Sequence, residues 1–69
     1  MIVAYRMILD KEATALNEGL VVYDVYRGEE ETPAGTVKLG EDDHWWVVGT
    51  AKRFSASMDA VKFVCRETP

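Results

Sequence analysis

The chain alternates apolar and polar residues over several short segments, a pattern typical of β-strands that bury one face. A first strand is predicted over residues 2–9 and a second over residues 20–27. Residues 36–40 and 44–50 predict a hairpin around an acidic turn, and its second strand can continue to Phe54. The pattern therefore predicts an antiparallel sheet of three or four strands.

The first strand and the segment after it leave more room for interpretation. The face of the first strand that we expect to be buried carries Val3, Tyr5, Met7 and Leu9. Residues 10–19 fit either a short helix or a loop. Asp10 can cap such a helix and Gly19 can end it, but only about two turns fit, which is short for a stable helix.

Near the carboxyl end the apolar period changes from two residues to nearly four, which predicts a helix over residues 55–66. The face expected to cover the sheet carries Ala60, Val61, Val64 and Cys65. The stripe expected to face solvent carries Asp59, Lys62 and Arg66. The predicted fold is therefore α+β: a small antiparallel sheet with a C-terminal helix packed on one face, in a single domain of residues 1–69.

Length and cysteine content narrow the class of protein. A chain of 69 residues buries only about 60% of its unfolded surface, so the core is expected to be thin. Cys65 is the only cysteine, which excludes an internal disulfide framework and suits a reducing compartment. Residues 1–9 are too short for a membrane span and lack the features of a secretory signal. We therefore expect a cytoplasmic protein that does not enter a membrane.

Two adjacent tryptophans suggest a binding surface. Neighbouring residues of a strand point to opposite faces, so only one of Trp45 and Trp46 can lie beneath the helix. The other ring faces outward and is typical of a protein contact, unless a loop or the first strand covers it. His44 shares its side with Trp46, which favours Trp46 as the outer ring. Trp46 and His44 are therefore candidate binding residues.

Acidic residues form two groups at the ends of the strand predicted over residues 36–40. The candidate binding residues in these groups are Glu29, Glu30, Glu31, Glu41, Asp42 and Asp43. A strand of this length separates the two groups by roughly 17 Å. Residues 24–43 hold seven acids and two bases, so the charge is polarised along the chain. Such a surface can attract a basic partner, or can simply keep a small protein in solution.

The same residues do not combine into a catalytic or metal site. His44 with Asp42 and Asp43 supplies neither the oxygen ligands that calcium needs nor the tetrahedral nitrogen and sulfur set that zinc prefers. Cys65 lies on the face assigned to the core, away from the helix start that would lower its pKa. We therefore expect a protein that is not an enzyme and needs no cofactor.

Residues 35–37, 44–48 and 54–61 carry a resemblance to known proteins. Their strand–strand–helix layout, in which a Trp-bearing strand is followed by a Phe-Ser step and an Ala-Val helix, resembles small phage-encoded domains. The outline is also similar to the amino-terminal arm-binding domains of tyrosine integrases, which read DNA with a three-stranded sheet. These motifs cover roughly half of the chain.

The charge departs from that of the integrase domains. Lys38, Lys52 and Arg53 supply the bases near the hairpin, acids flank them, and the net charge is -4. Nucleic-acid affinity depends on neutralising phosphates, so direct binding of nucleic acid is not expected. The resemblance that fits the charge is to tiny acidic phage proteins, including anti-CRISPR proteins. It implies a protein that occupies the surface of a host protein.

These observations predict a non-catalytic module that binds a host protein or protein complex, with inhibition of a host nucleic-acid-processing complex by a phage or mobile element as its leading role. Two alternatives stay open. One is a nucleic-acid-binding domain that uses Lys38, Lys52, Arg53 and the outward tryptophan. The other is a structural or assembly protein that associates with itself through the open face of the sheet. Either a monomer or a homodimer is compatible with the sequence.

Overall fold

The computed structural model describes residues 4–67, which form five β-strands and two α-helices. In chain order the elements are β1 (Tyr5–Leu9), α1 (Lys11–Leu16), β2 (Val22–Arg27), β3 (Gly35–Leu39), β4 (Trp45–Val47), β5 (Arg53–Phe54) and α2 (Ser57–Glu67). Each strand pairs antiparallel with the next, so the order across the sheet follows the chain. The α+β class is confirmed, but the described residues form five strands instead of three or four.

A tight turn after β4 accounts for the additional strand. Gly49 has a φ of +86°, and the backbone N–H of Thr50 donates to the carbonyl of Val47 over 3.1 Å. A positive φ at the third residue of such a turn is the conformation that a type II turn requires. The chain therefore reverses after Val47 and does not continue straight to Phe54, and β5 returns along β4.

Small aliphatic side chains form the core between α2 and the sheet. The members of this cluster are Val25, Val37, Val47, Ala60, Val61, Val64 and Cys65. The four that belong to α2 are those whose helical spacing predicted a buried face, and the opposite stripe is exposed. Aromatic rings surround the cluster, with Phe54 and Phe63 at 5.6 Å between ring centroids. The C-terminal helix phase therefore follows from the sequence pattern.

β1 is less buried than its sequence predicts. Met7 packs against the core cluster, but Tyr5 and Leu9 are 38% and 41% exposed. β1 is an edge strand, and α2 packs on β2, β3, β4 and β5. Tyr5 and Leu9, at the two ends of β1, therefore gain little cover from the helix. Val3, which was also expected on the buried face, lies outside the described residues.

The segment after β1 is a helix and not a loop. The Asp10 carboxylate caps α1 by accepting a hydrogen bond of 3.0 Å from the backbone N–H three residues further along the chain. The helix is followed by Gly19 with a φ of +83°, a left-handed conformation that glycine adopts readily. The Thr14 hydroxyl accepts a hydrogen bond of 2.9 Å from the N–H of Val22, which fixes α1 to the start of β2.

The side of the sheet away from α2 is called the outer face below. Strand register assigns to it Arg6, Ile8, Val22, Asp24, Tyr26, Thr36, Lys38, Trp46 and Arg53. Of these, Val22 is buried, at 5% exposure, and it lies next to α1. The rest of the outer face is partly or fully open to solvent.

Candidate functional site

Trp46 lies in a row of polar contacts on the outer face. It pairs with Lys38 of β3 on one side and with Arg53 of β5 on the other. Directly paired residues share a face, so the three side chains form a row across three strands. The guanidinium carbon of Arg53 lies 5.4 Å from the centroid of the Trp46 ring, within the range of a cation–π contact.

Asp42 joins this row to the β3–β4 turn. Its Oδ1 accepts hydrogen bonds of 3.1 Å from the indole N–H of Trp46 and of 3.1 Å from the backbone N–H of His44. Its Oδ2 accepts a hydrogen bond of 3.1 Å from the guanidinium of Arg53. One carboxylate therefore holds three neighbours in place, and Asp42, His44, Trp46 and Arg53 are called the Asp42 cluster.

The charge of Asp42 is set by two opposing effects. Partial removal from water raises the pKa of Asp42, while hydrogen bonds from Trp46 and from the His44 backbone lower it. The charge of His44 and the hydrogen bond from Arg53 lower the pKa further, so the net value lies below the ordinary one. Asp42 is therefore ionised at neutral pH, and it balances the charge of Arg53.

His44 contacts the same turn through its ring. Its Nδ1 lies 2.9 Å from the backbone carbonyl of Asp42. Because a carbonyl oxygen can only accept, Nδ1 must donate in this contact. The ring is held against the acidic turn with 40% of the side chain exposed.

The geometry of the acidic turn explains how the indole fits against it. The N–H of Asp43 donates to the carbonyl of Gly40 over 3.1 Å, and Asp43 has a φ of +63°. These features match a three-residue hairpin loop whose last residue is left-handed. A Cβ at Gly40 would lie 2.5 Å from Nε1 of Trp46, so a side chain there would displace the ring.

A cleft of about 340 Å³ opens beside the Asp42 cluster. Its lining residues are Asn17, Glu18, Leu20, Lys38, Gly40, Glu41 and Trp46. A hydrogen bond with the Glu18 carboxyl, its negative charge and partial burial all raise the pKa of Glu41. No pattern in the sequence indicates this pair, because the loop after α1 and the β3–β4 turn are distant along the chain.

The two tryptophans occupy opposite faces. Trp45 packs on the core side, with its ring centroid 6.2 Å from that of Tyr23, and Trp46 lies on the outer face. The indole of Trp46 is nevertheless half-buried, which differs from the expectation of an exposed ring. Asp42 contacts the ring from the β3–β4 turn, and Arg53 contacts it from β5, which the turn after β4 brings back along β4.

The second acidic group lies elsewhere. Residues 28–34 connect β2 to β3 at the end of β3 opposite the Asp42 cluster, and Glu29, Glu30 and Glu31 are exposed there. Arg6 donates hydrogen bonds of 2.7 Å to the carbonyl of Gly28 and of 2.5 Å to that of Glu30. The predicted site residues therefore form two separate acidic surfaces, and Trp46 and His44 belong to only one.

The described part of the chain gives little support for metal binding, for a nucleophilic cysteine or for a membrane span. Among residues 4–67, no three or more His, Cys, Asp or Glu side chains are grouped so as to hold a metal ion. Burial raises the pKa of the Cys65 thiol, which makes it a poor nucleophile. Within the same residues, neither helix is long and apolar enough to cross a membrane.

The chain matches no protein-family model, no curated protein and no solved structure. Function must therefore be inferred from the geometry of the Asp42 cluster and the surfaces around it.

Proposed function

We propose that the chain is a non-catalytic protein-binding module whose contact surface is centred on Trp46. The Asp42 cluster carries this proposal, because it holds a large indole in one position on the outer face. A side chain that is already ordered loses little entropy on binding. Trp and Arg are also the residues most enriched at the energetically important positions of protein interfaces, and Trp46 and Arg53 are in contact here.

The charge around Trp46 favours a basic partner. Glu18, Glu41 and Lys38 line the cleft beside the indole, two acids against one base, and the chain carries a net charge of -4. The positive charge of Arg53 is balanced by Asp42 and does not offset this field. Complementary charge speeds association more than it increases affinity.

The proposed biological role is inhibition of a host nucleic-acid-processing complex by a phage or mobile-element protein. The resemblance of residues 35–37, 44–48 and 54–61 to small phage domains supports this role. Proteins that process nucleic acids carry basic surfaces, which an acidic module can occupy. The buried thiol of Cys65 fits action in the reducing cytoplasm.

Affinity capture from a host lysate, followed by binding kinetics with the captured partner, tests the role of Trp46. Trp46→Ala should raise the dissociation rate by about 30-fold, as expected for an aromatic residue worth ~2 kcal/mol at an interface. Val48→Ala is the matched control, because Val48 is an apolar residue of the same segment and is 50% exposed outside the cluster. Equal dissociation rates for the two variants would remove Trp46 from the interface.

Salt dependence tests the role of the acidic groups. Replacing Glu29, Glu30 and Glu31 with Gln should lower the association rate at low salt, and the loss should shrink as salt is added. Replacing Glu41 with Gln and Asp43 with Asn gives the matched comparison at the other end of β3. The group with the larger effect faces the partner, and the absence of any effect from both would contradict a basic partner.

Fluorescence quenching of the free protein tests whether the indole is accessible. Acrylamide is the suitable quencher because it is neutral, whereas iodide would be repelled by the acidic turn. Trp46→Phe should remove the emission that is quenched more strongly, since Trp45 lies on the core side. If the remaining emission of Trp46→Phe is quenched as strongly as that of the wild type, the indole of Trp46 is not the accessible one.

One observation favours a second function. The row of Lys38, Trp46 and Arg53 places an aromatic ring between two bases, an arrangement that single-stranded nucleic acid can use for stacking. The ion pair with Asp42 and the net charge of -4 oppose this use. Gel-shift assays with single-stranded and duplex DNA at physiological salt should show no complex. Salt-sensitive binding that is lost in Trp46→Ala would replace protein binding as the proposed function.

A further inference from the structure

Among residues 4–67, no strand pairs with the free edge of β1. The carbonyl of Ala4 accepts from the N–H of Gly28 over 2.6 Å, and the N–H of Asp10 donates to the carbonyl of Val22 over 2.9 Å. Hydrogen bonds alternate along an antiparallel strand, so the even-numbered residues of β1 bond to β2. The residues whose N–H and C=O groups point to the free edge are Tyr5, Met7 and Leu9.

The residues of β1 itself supply no proline, no bulge and no free charge to protect the sheet edge. Natural edge strands are blunted by free charges, by proline, by bulges or by shortness. The one charged residue of β1, Arg6, donates to the carbonyls of Gly28 and Glu30 and stacks 4.9 Å from the ring centroid of Tyr26. Its charge is therefore held over β2 and away from the free edge. The opposite edge is the strand β5, which is only two residues long.

The side chains of β1 are also unusually apolar for their exposure. Tyr5, Ile8 and Leu9 are 38%, 48% and 41% exposed. They flank the open backbone groups on both faces of the sheet. A strand that supplied the missing hydrogen bonds would cover these side chains as well.

We propose that β1 pairs antiparallel with β1 of a second copy of this chain, about a two-fold axis at Met7. The two sheets then join edge to edge into one sheet of ten strands. In this register Met7 lies opposite Met7, and Tyr5 of one protomer lies opposite Leu9 of its partner. The six N–H and six C=O groups that the two edges expose form six hydrogen bonds, so every group is paired.

The pattern of β1 fits a second copy better than an unrelated strand. Its five residues have Met7 at the centre. A two-fold axis at Met7 therefore places each open N–H of one protomer opposite an open C=O of its partner. It also places the apolar Tyr5 and Leu9 side by side on the α2 face and sets Ile8 beside Arg6 on the outer face. A slip by one residue would bring opposite faces together, and a slip by two would leave hydrogen-bonding groups of Tyr5–Leu9 without a partner within that strand.

Size and charge set the expected strength of this dimer. A strand of five residues buries less surface than the ~800 Å² per partner of a standard stable interface, so the dimer is weak and reversible. Each protomer carries a net charge of -4, so added salt should strengthen the association by screening repulsion. Binding of a basic partner at the Asp42 cluster should respond to salt in the opposite direction, which separates the two surfaces.

Sedimentation equilibrium over a range of concentrations provides the first test. The average mass should rise from 7.8 kDa towards twice that value. Tyr5→Pro removes an outward N–H at the first residue of the strand, a position where proline is tolerated, and Tyr5→Ala keeps the N–H. The dissociation constant of the dimer should be at least tenfold higher for Tyr5→Pro than for Tyr5→Ala, with amide spectra showing that both variants fold.

An NMR experiment on a mixture of isotope-labelled and unlabelled protein tests the register. Arg6 and Ile8 of the two protomers would form non-hydrogen-bonded pairs, whose Cα atoms approach to ~4.5 Å. A contact between their Hα protons across the interface is therefore expected. A mass that stays at 7.8 kDa up to millimolar concentration would overturn the proposal. A dimer that lacks this contact and still forms in Tyr5→Pro would also overturn it. So would amides of Tyr5, Met7 and Leu9 that become protected only when a strand of a different protein is added.

Discussion

Gly35, the first residue of β3, packs directly against α2 and gives the sharpest test of how the helix is seated. A Cβ at this position would lie 2.7 Å from Cγ1 and 3.5 Å from Cγ2 of Val64. Val64 is 3% exposed, and a valine in a helix strongly prefers one χ1 rotamer, so it cannot turn aside. Carbon atoms prefer a separation of ~3.5–4.0 Å, and Gly35→Ala therefore forces the helix and the strand apart.

Two effects of Gly35→Ala oppose each other. Overpacking a filled core costs about 1–3 kcal/mol. Replacing glycine in a strand gains about 0.5–1 kcal/mol by restricting the unfolded chain. The overpacking should win, and the free energy of unfolding should fall by about 1 kcal/mol, or ~4–8 °C in Tm for a domain of this size. Urea denaturation should show a lower midpoint with an unchanged m-value.

A double-mutant cycle separates the clash from other effects of the alanine. Val64→Ala removes the methyl groups that meet the new Cβ, so Gly35→Ala should cost less in that background, by at least ~0.5 kcal/mol. Gly28→Ala is the control: Gly28 has a φ of +54° and no atom within 4 Å of its Cβ position, so its cost should simply add to that of Val64→Ala. Additive effects of Gly35→Ala and Val64→Ala, or a Gly35→Ala variant as stable as the wild type, would refute this contact.

Three further predictions concern the helix phase, the acidic turn and the pH dependence. Val61 is 1% exposed and Lys62 is exposed, so Val61→Asp should abolish cooperative unfolding while Lys62→Ala changes stability by at most ~0.5 kcal/mol; similar denaturation curves would contradict the helix phase. Asp43 has a φ of +63°, so Asp43→Val should lose about 1 kcal/mol in thermal unfolding and Asp43→Gly should lose nothing. The pKa of Glu41 is raised in the folded state, so the folded protein keeps its carboxyl proton to higher pH than the unfolded chain does. Stability should therefore fall as the pH rises from the pKa of Glu41 in the unfolded chain to its pKa in the folded state. Glu18→Gln should lower the pKa of Glu41 in an NMR titration, and an unchanged pKa would exclude the contact.

The parts of the fold that sequence reasoning predicted are those set by local periodicity. The helical spacing of Ala60, Val61, Val64 and Cys65 determines which face of α2 is buried. The sequence of the helix alone is enough to predict that face. The exposure of Tyr5 and Leu9 could not be read in the same way. It depends on how many strands α2 spans, which is a property of the whole sheet.

The candidate site was predictable only in part for a related reason. Strand alternation assigned Trp46 to the face away from α2. The contacts that cover the indole depend on Arg53, which reaches it only because the chain turns at Gly49 and returns as β5. A single glycine in an apolar run is a weak turn signal. The ion pair of Arg53 with Asp42 therefore had no signature in the sequence.

The two proposed surfaces lie far enough apart to act independently. In a ten-stranded dimer the two copies of Trp46 would be separated by seven strand spacings of ~4.8 Å, or roughly 34 Å. A twist of about 20° per strand accumulates to roughly 140° over the same distance, so the two indoles would face away from each other. A single partner could not contact both, and the dimer should bind one partner per protomer without a gain in avidity. Calorimetry with wild type and Tyr5→Pro should therefore give the same stoichiometry and affinity per protomer. A stoichiometry of one partner per dimer would instead mean that the partner's binding site crosses β1, and that dimer formation and partner binding are coupled.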